Sequence, residues 1–407
     1  MILPSSLALL AGSAVAQPAS YAARQPQPEP PPPGPPSTKG FQKATVHPST
    51  GGHASCVSGI VPVAASTNKN IKLDIQVPAN QSDVTEFFLE SFSAGSDLAE
   101  RIALGNASVA GKYDIYATLC TPMNNPKPKG IQLLTHGVGF DHTYWDFDLG
   151  YSYVDVAAEH GYASFFYDRL GVGSSDKPDP IQVIQAPLEV EIARTLATSL
   201  RKGTFSGQKF GKVVGVGHSF GSIITQAITQ LYPEILDAAV LTGFSSDLSN
   251  QPTFLQALNL AIARENQPTR FPSLNNAFLV SSTIISNQIG FFKANGFDPA
   301  LLRKAEDTKG TVTIGELNSL SGVGGPADRF TKPVIVVDGD ADYPFCTGNC
   351  SFPTNLAEAV HGKYYPNLAD GDFDAYLAPL AGHGLNFHYS AAAAFEHAQK
   401  FLAEHGL

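Results

Sequence analysis

A chain of 407 residues, 43% of them hydrophobic, is long enough to bury a sizeable core, as one large α/β domain with insertions or as two domains. Its formal net charge of −10, with 26 Lys and Arg and no basic run, argues against nucleic acid as a partner, and the acidic balance in itself implies only solubility. No stretch is apolar for long enough to span a bilayer, which argues against a membrane-embedded protein.

The N-terminal MILPSSLALLAGSAVAQPAS holds a short apolar segment ending in Ala14-Val15-Ala16. This is the pattern of a secretory signal over residues 1–16, cleaved after Ala16, although it lacks a basic n-region. Residues 17–40, Pro-rich from residue 25 (QPQPEPPPPGPPSTKG), read as an extended, disordered spacer outside the fold, which leaves 41–407 as the folded part of a secreted protein. The four cysteines fit that compartment: Cys346 and Cys350 are close enough to close a small loop, which leaves Cys56 to pair with Cys120 among three possible connectivities. The rival reading, a Cys-x-x-x-Cys metal or redox site, finds no Cys or His cluster to complete a ligand set, so no metal is expected. Sequons permit N-glycosylation at Asn80 and Asn106, and less readily at Asn349, whose loop would be cross-linked.

Residues 41–120 contain alternating stretches, Ile71 to Val77 and Tyr113 to Leu119, that predict half-exposed antiparallel strands. From residue 130 the texture becomes apolar strand, glycine loop and helix in repeated units. Strands are predicted at Ile131–Thr135, Ala163–Tyr167, Val213–Gly217, Ala239–Thr242, Val334–Val337 and Ala375–Leu380, and helices at Tyr151–Glu159, Glu189–Arg201, Ile223–Leu231 and Ala391–Glu404. Such alternation predicts a mostly parallel sheet with helices on both faces. The interval from about 244 to 330 is too long for one helix and reads as a cap inserted between two core strands.

The chain is organised around residues 212–231, KVVGVGHSFGSIITQAITQL, a short apolar strand, a glycine-framed turn and an amphipathic helix with Ser219 at the apex. Gly217-His218-Ser219-Phe220-Gly221 is a G-x-S-x-G pattern, which is weak in a glycine-rich chain but strong between a strand and a helix. Reversing the chain within so few residues strains the backbone, and only glycine neighbours leave room for it. The free N–H groups at the start of the helix then favour a developing oxyanion.

Ligands of open α/β sheets bind beyond the carboxyl ends of the strands, and three loops there hold candidate partners for Ser219. In LLTHGVGFDHTYW, residues 133–145, Gly137 and Gly139 allow a tight turn that would aim the Val138 N–H, with that of Phe220, at the oxygen of a tetrahedral intermediate. His136 reads as a loop-holding residue, and Phe140, Tyr144, Trp145 and His218 as walls of a substrate pocket, with His142 beside them. In VIVVDGDADYPFC, residues 334–346, Asp342 is the best candidate for the acid that holds a histidine tautomer, with Asp340 as its rival. In LAPLAGHGLNFHYS, residues 377–390, His383 lies between two glycines and is the candidate base, with His388 as the alternative. The chain order Ser219, Asp342, His383 is the one expected on this scaffold.

Together His136 to Gly139, Tyr167-Asp168-Arg169-Leu170-Gly171-Val172-Gly173-Ser174-Ser175, Gly217 to Gly221, Gly339 to Asp342 and Gly382-His383 give residues 113–402 the look of an α/β-hydrolase fold enzyme, similar to fungal extracellular members. The resemblance implies a Ser219–Asp342–His383 triad, Val138 and Phe220 as oxyanion donors, and loop-ordering roles for Asp168 and Arg169. It does not cover the region before about residue 110, and the cap sequence points to no substrate class. The function expected is a secreted serine hydrolase of carboxylic esters, with lactones and apolar acyl esters among the candidate substrates, a small-molecule ester as partner and no cofactor. Amide hydrolysis or perhydrolysis on the same fold, and a non-catalytic small-ligand binder, are the alternatives. Epoxide hydrolase chemistry is disfavoured because it needs a carboxylate where Ser219 stands. Phe291, Phe292 and Phe297 read as the cap's own core rather than as an interfacial lid. The sequence says nothing of oligomeric state.

Overall fold

Five short runs, IQLLT, ASFFY, VVGVGH, AAVLT and VIVVDG, are buried at every position, as strands must be when helices cover both faces of a sheet. The computed structural model describes residues 36–125 and 127–407, so the signal-like leader and the spacer up to residue 35 lie outside the described residues. In chain order the strands are β1 (Gln42–Pro48), β2 (Ala54–Leu73), β3 (Ala103–Pro122), β4 (Ile131–Thr135), β5 (Ala163–Tyr167), β6 (Val213–His218), β7 (Ala238–Thr242), the short β8 (Ala261–Ile262), β9 (Phe278–Val280) and β10 (Val312–Thr313), then β11 (Val334–Gly339) and β12 (Phe373–Ala378).

Nine of them form one sheet in the order β1-β2-β3-β5-β4-β6-β7-β11-β12. From β5 to β12 neighbours run parallel, whereas β1, β2 and β3 join antiparallel. Because the chain moves from β4 outward to β5 on one side and to β6 on the other, a crevice opens at the carboxyl ends of β4 and β6, where the order reverses. The predicted parallel strands lie within a residue or two of the observed ones; the last is displaced by two at both ends, running Phe373–Ala378 and leaving Leu380 beyond it at φ 53°.

Local signals set the main helices. Ser152 accepts the Asp155 N–H and starts Tyr153–Glu159. The long helix Ala186–Lys202 has proline in its first turn, Arg201 and Lys202 in its last, and ends at Gly203 in a left-handed conformation, φ 71°. Phe220–Leu231 and Ala391–Glu404 complete the layers that flank the parallel strands.

The region before residue 110 supplies more than edge strands. β2 and β3 are 20 residues each and pair along nearly their whole length, while only Ala117–Cys120 of β3 reaches β5, so the rest of the ribbon projects past the sheet. The strand expected over Ile71–Val77 stops at Leu73, because the chain leaves the ribbon there for an excursion containing the helices Gln81–Ser91 and Leu98–Ile102. The spacer also ends earlier than expected. The Lys39 carbonyl accepts the Ser206 N–H at 2.8 Å, and Gly40 packs against Phe205, so residues 39–40 belong to the fold.

The insertion expected over about 244–330 forms helices Gln251–Leu258, Ala263–Asn266, Ile284–Phe291, Pro299–Thr308 and Ile314–Ser319 around the small antiparallel sheet β10-β9-β8. It is fastened from outside by the N-terminal excursion. Gln81 exchanges hydrogen bonds with the Leu260 carbonyl and the Ile262 N–H, and Asn276 donates to the carbonyls of Pro78 and Ala79.

Cys56 and Cys120 are directly opposite in the β2–β3 register, with Cα atoms 4.0 Å apart, and form a disulfide that closes a loop of 64 residues. Closing so long a loop restricts the unfolded chain, so replacing both cysteines by serine is expected to lower stability by about 2–4 kcal/mol, read as a lower urea midpoint with a somewhat steeper slope as the unfolded chain expands. An unchanged midpoint would show that the ladder alone holds the ribbon.

Candidate active site

Between β6 and the helix Phe220–Leu231 the chain turns at Ser219, which has φ 56° and ψ −117°, a strained backbone for a residue with a side chain. The turn is locked by the Ser219 N–H donating to the Thr242 carbonyl at 2.9 Å and by the Ser222 N–H donating to the Ser219 carbonyl at 2.8 Å. The framing glycines are required by contact. A Cβ on Gly217 would overlap the Gly221 carbonyl, and one on Gly221 would overlap the Thr135 carbonyl.

The loops after β11 and β12 bring two partners to this serine. His383 Nε2 lies 2.7 Å from Ser219 Oγ, and His383 Nδ1 lies 2.5 Å from Asp342 Oδ2. The other Asp342 oxygen accepts the Phe345 N–H at 2.8 Å, which fixes the carboxylate at the head of the short turn Tyr343–Cys346. The disulfide Cys346–Cys350 closes the loop that follows.

The rival residues are engaged elsewhere. Asp340 accepts the N–H groups of Leu380 and Ala381 and clamps the ends of β11 and β12 together. His388 accepts from the N–H groups of Lys293 and Gly382 through Nε2 and turns Nδ1 to the Gly384 carbonyl, joining the cap to the His383 loop; burial pushes its pKa down to about 4. His136 accepts the Arg169 N–H at Nε2 and turns Nδ1 to the Gly137 carbonyl at 2.9 Å; burial pushes its pKa down to about 3. His142 sits against Asp168, Nδ1 to Oδ1 2.7 Å. Burial opposes its charge, but the Asp168 carboxylate overrides this and raises its pKa to about 9.

Gly137 is so close to the turn that a Cβ there would lie 2.8 Å from Ser219 Cβ. Among the described residues the Val138 and Phe220 N–H groups take part in no hydrogen bond. His218 is fully buried and neutral, its pKa driven down by desolvation, with Tyr144 stacked on it at 4.4 Å and Phe140 at 5.6 Å. Trp145 lies a layer further back, packed on Tyr144 and Tyr153, so it supports the wall without forming it. Asn80 caps a helix with its side chain, and Asn106 is exposed on β3.

Sequence reasoning missed the rings that close over His383. Phe254 and Phe291 of the cap and Phe345 after the acid lie 5.8, 6.0 and 5.5 Å from its imidazole, and Phe291 also contacts Phe140 at 4.7 Å. Phe291 thus faces the site, not the cap's interior, whereas Phe292 packs on Phe297 and Phe387. The density of phenylalanine in the insertion was the available signal, but not its direction. The result is a closed site in which Ser219 is 6% exposed and His383 1%. A groove of about 510 Å³ lies elsewhere, lined by Ser66 to Lys69, Ser108 to Ala110, Glu191 and Tyr232, and contains none of these residues. Asp338 lies beside Cys346 and Cys350, whose sulfurs are bonded to each other and so are not free to hold a metal.

A parallel sheet with a strained serine turn at its switch point and a histidine and a carboxylate arriving from the last two strand ends defines an enzyme fold of the hydrolase class. The sequence model of the Alpha/beta hydrolase family matches residues 132–398, well over half of the chain, and the protein belongs to that family. Similar solved structures include a bromoperoxidase from Bacillus anthracis (18% identity, 72% of this chain and 96% of that one, TM-score 0.49) and the alpha/beta hydrolase GrgF from Penicillium sp. sh18 (17%, 72% and 94%, 0.49). A monoacylglycerol lipase from Paleococcus ferrophilus is also similar (16%, 72% and 99%, 0.48). At these identities the names of those proteins say nothing of the bond that this chain cleaves. No helix among the described residues is long and apolar enough to cross a membrane.

The buried histidines give stability a pH dependence of definite sign. An unfolded histidine titrates near about 6.5, so as pH falls below that value the unfolded chain takes up protons that His136 and His388 refuse in the fold, and stability is lost toward pH 4. His142 acts oppositely, since its raised pKa makes a contribution that is complete below about 6.5 and lost as pH rises through about 9. Urea unfolding is therefore expected to be most resistant near neutrality, with a decline of several kcal/mol on the acid side, and His142→Asn should flatten the alkaline decline.

Proposed function

We propose that the protein is a secreted serine hydrolase that cleaves carboxylic esters through an acyl-enzyme. The observation that carries this reading is the continuous hydrogen-bond line from Ser219 Oγ to His383 to Asp342, with distances of 2.7 and 2.5 Å, at a turn whose φ is 56°. Ser219 Oγ attacks the carbonyl as His383 Nε2 takes its proton, and Asp342 holds the tautomer and stabilises the imidazolium. The oxyanion is held by the N–H groups of Val138 and Phe220. His383 returns the proton to the departing alkoxide, then draws one from the water that attacks the acyl group and passes it to Ser219 Oγ as the acyl–Oγ bond breaks, which releases the acid and restores the serine. The rings of Phe140, Tyr144, Phe254 and Phe291 favour an apolar acyl group, and the enclosed serine favours a small substrate. Two disulfides and the signal-like leader support secretion.

A fluorophosphonate probe should label the wild type once per chain and leave Ser219→Ala unlabelled. On short and medium acyl nitrophenyl esters Ser219→Ala should lose at least about 10³-fold in kcat/KM. Asp342→Asn should lose far more activity than Asp340→Asn. Equal turnover by wild type and Ser219→Ala would overturn the proposal, and matched amides run beside the esters decide which bond is preferred.

A further inference from the structure

Beneath the serine turn lies a cluster of charge that the hydrolytic cycle does not use. Arg169 is 1% exposed, and its Nη1 donates to Glu189 Oε2 at 2.7 Å and to Glu316 Oε1. Its guanidinium lies over the ring of Phe220, 4.4 Å from the centroid. Burial holds the Glu189 carboxyl well above the usual range, opposed by the Arg169 guanidinium beside it. This is poor design for stability alone. Arg169 Nε, Arg169 Nη2 and Glu189 Oε1 have no hydrogen-bond partner among the described residues, and apolar side chains of the same volume usually do as well or better than a buried ion cluster.

We propose that Arg169 is a positioning residue for both backbone donors that face Ser219, and that Glu316 ties them to the cap. The proposal rests on the serine-hydrolase reading. One arm runs through the side chain: the guanidinium pins the Phe220 ring, and the Phe220 N–H belongs to the same residue. The other runs through the backbone. The Arg169 side chain, held by the two glutamates, anchors the backbone whose N–H donates to His136 Nε2 and so fixes its tautomer, and His136 Nδ1 donates to the Gly137 carbonyl. That carbonyl and the Val138 N–H are the two ends of one planar peptide, so holding the oxygen sets where the N–H points. The cap joins at Glu316, whose second oxygen accepts the Thr313 N–H at 2.7 Å in a capping box at the end of β10. A cap displaced at β10 therefore pulls on Arg169, and the oxyanion donors reach their working positions only when the cap is seated.

The test counts competent sites first and then measures each site's performance. Wild type, Arg169→Met, Arg169→Lys and Glu316→Gln are titrated to completion with a fluorophosphonate. Then kcat, KM and the inhibition constant of an aryl trifluoromethyl ketone are expressed per titrated site. The ketone adds to Ser219 Oγ as the Oγ proton passes to His383, and its former carbonyl oxygen becomes an oxyanion on the two N–H groups. Per site, kcat and ketone affinity are expected to fall together, about 30–100-fold in Arg169→Met and about tenfold in Arg169→Lys, with KM little changed. Glu316→Gln keeps an acceptor for Thr313 and should lose about three- to tenfold in the same two quantities, so it carries the test if the Arg169 variants fail to fold. Loss of titre or melting temperature with kcat per site and ketone affinity unchanged would reduce the cluster to a structural role and overturn the inference alone. A wild type that takes no probe would overturn the serine-hydrolase reading and this inference with it.

Discussion

The start of the helix Phe220–Leu231 presses on the carbonyl of Thr135 so closely that position 221 has room for no side chain at all. Everything at the site follows from that approach. It forces Ser219 into its left-handed turn, brings the Gly137 backbone against the serine, and lays the first turn of a helix, with its unpaired N–H groups, beside β4. The strain is met by hydrogen bonds from Ser219 and Ser222 to the end of β7. The reversal of strand order at β4 and β6 leaves the crevice into which the serine stands.

Much of this was legible in the sequence, because its signals are local. A short, mostly apolar run closed by a turn reads as a buried parallel strand from local sequence alone, which is why β4 and β5 coincide with their predicted limits. The glycines at 217 and 221 mark a steric necessity within five residues. β12 was read two residues late because it is a half-exposed edge strand whose apolar pattern continues into Leu380. What the sequence could not convey was direction over long distances. Asp340 and Asp342 differ only in which way a four-residue turn faces them, and the backbone bonds from Leu380 and Ala381 that engage Asp340 come from another strand end. Likewise His388 resembles a base in sequence, but it is a clamp because Lys293, nearly a hundred residues earlier, supplies the N–H it accepts.

The Asp168-Arg169 pair shows the same division. Asp168 orders its own turn by accepting the Ser174 N–H and binding His142, a contact foreseeable from a glycine-rich loop. The partners of Arg169 come from the helix Ala186–Lys202 and from the cap, so no window of sequence contains them. Such clusters form where several layers meet, and they are the least predictable part of a fold because each charge is tolerable only once the others are in place.

The cap is moored on several sides: to the N-terminal excursion through Gln81 and Asn276, to the His383 loop through Lys293 and the Phe291 carbonyl, and to the loop beyond β4 through the Gly310 N–H and Gly139 carbonyl. These ties hold different parts of the cap separately, so a shift at one of them, such as β10, need not carry the whole roof with it. The innermost side chains of that roof are Phe291 and Phe254, whose rings lie over His383. On the serine-hydrolase proposal the same enclosure, with Ser219 and His383 almost wholly covered, would restrict the water that completes each turnover as well as the substrate that begins it.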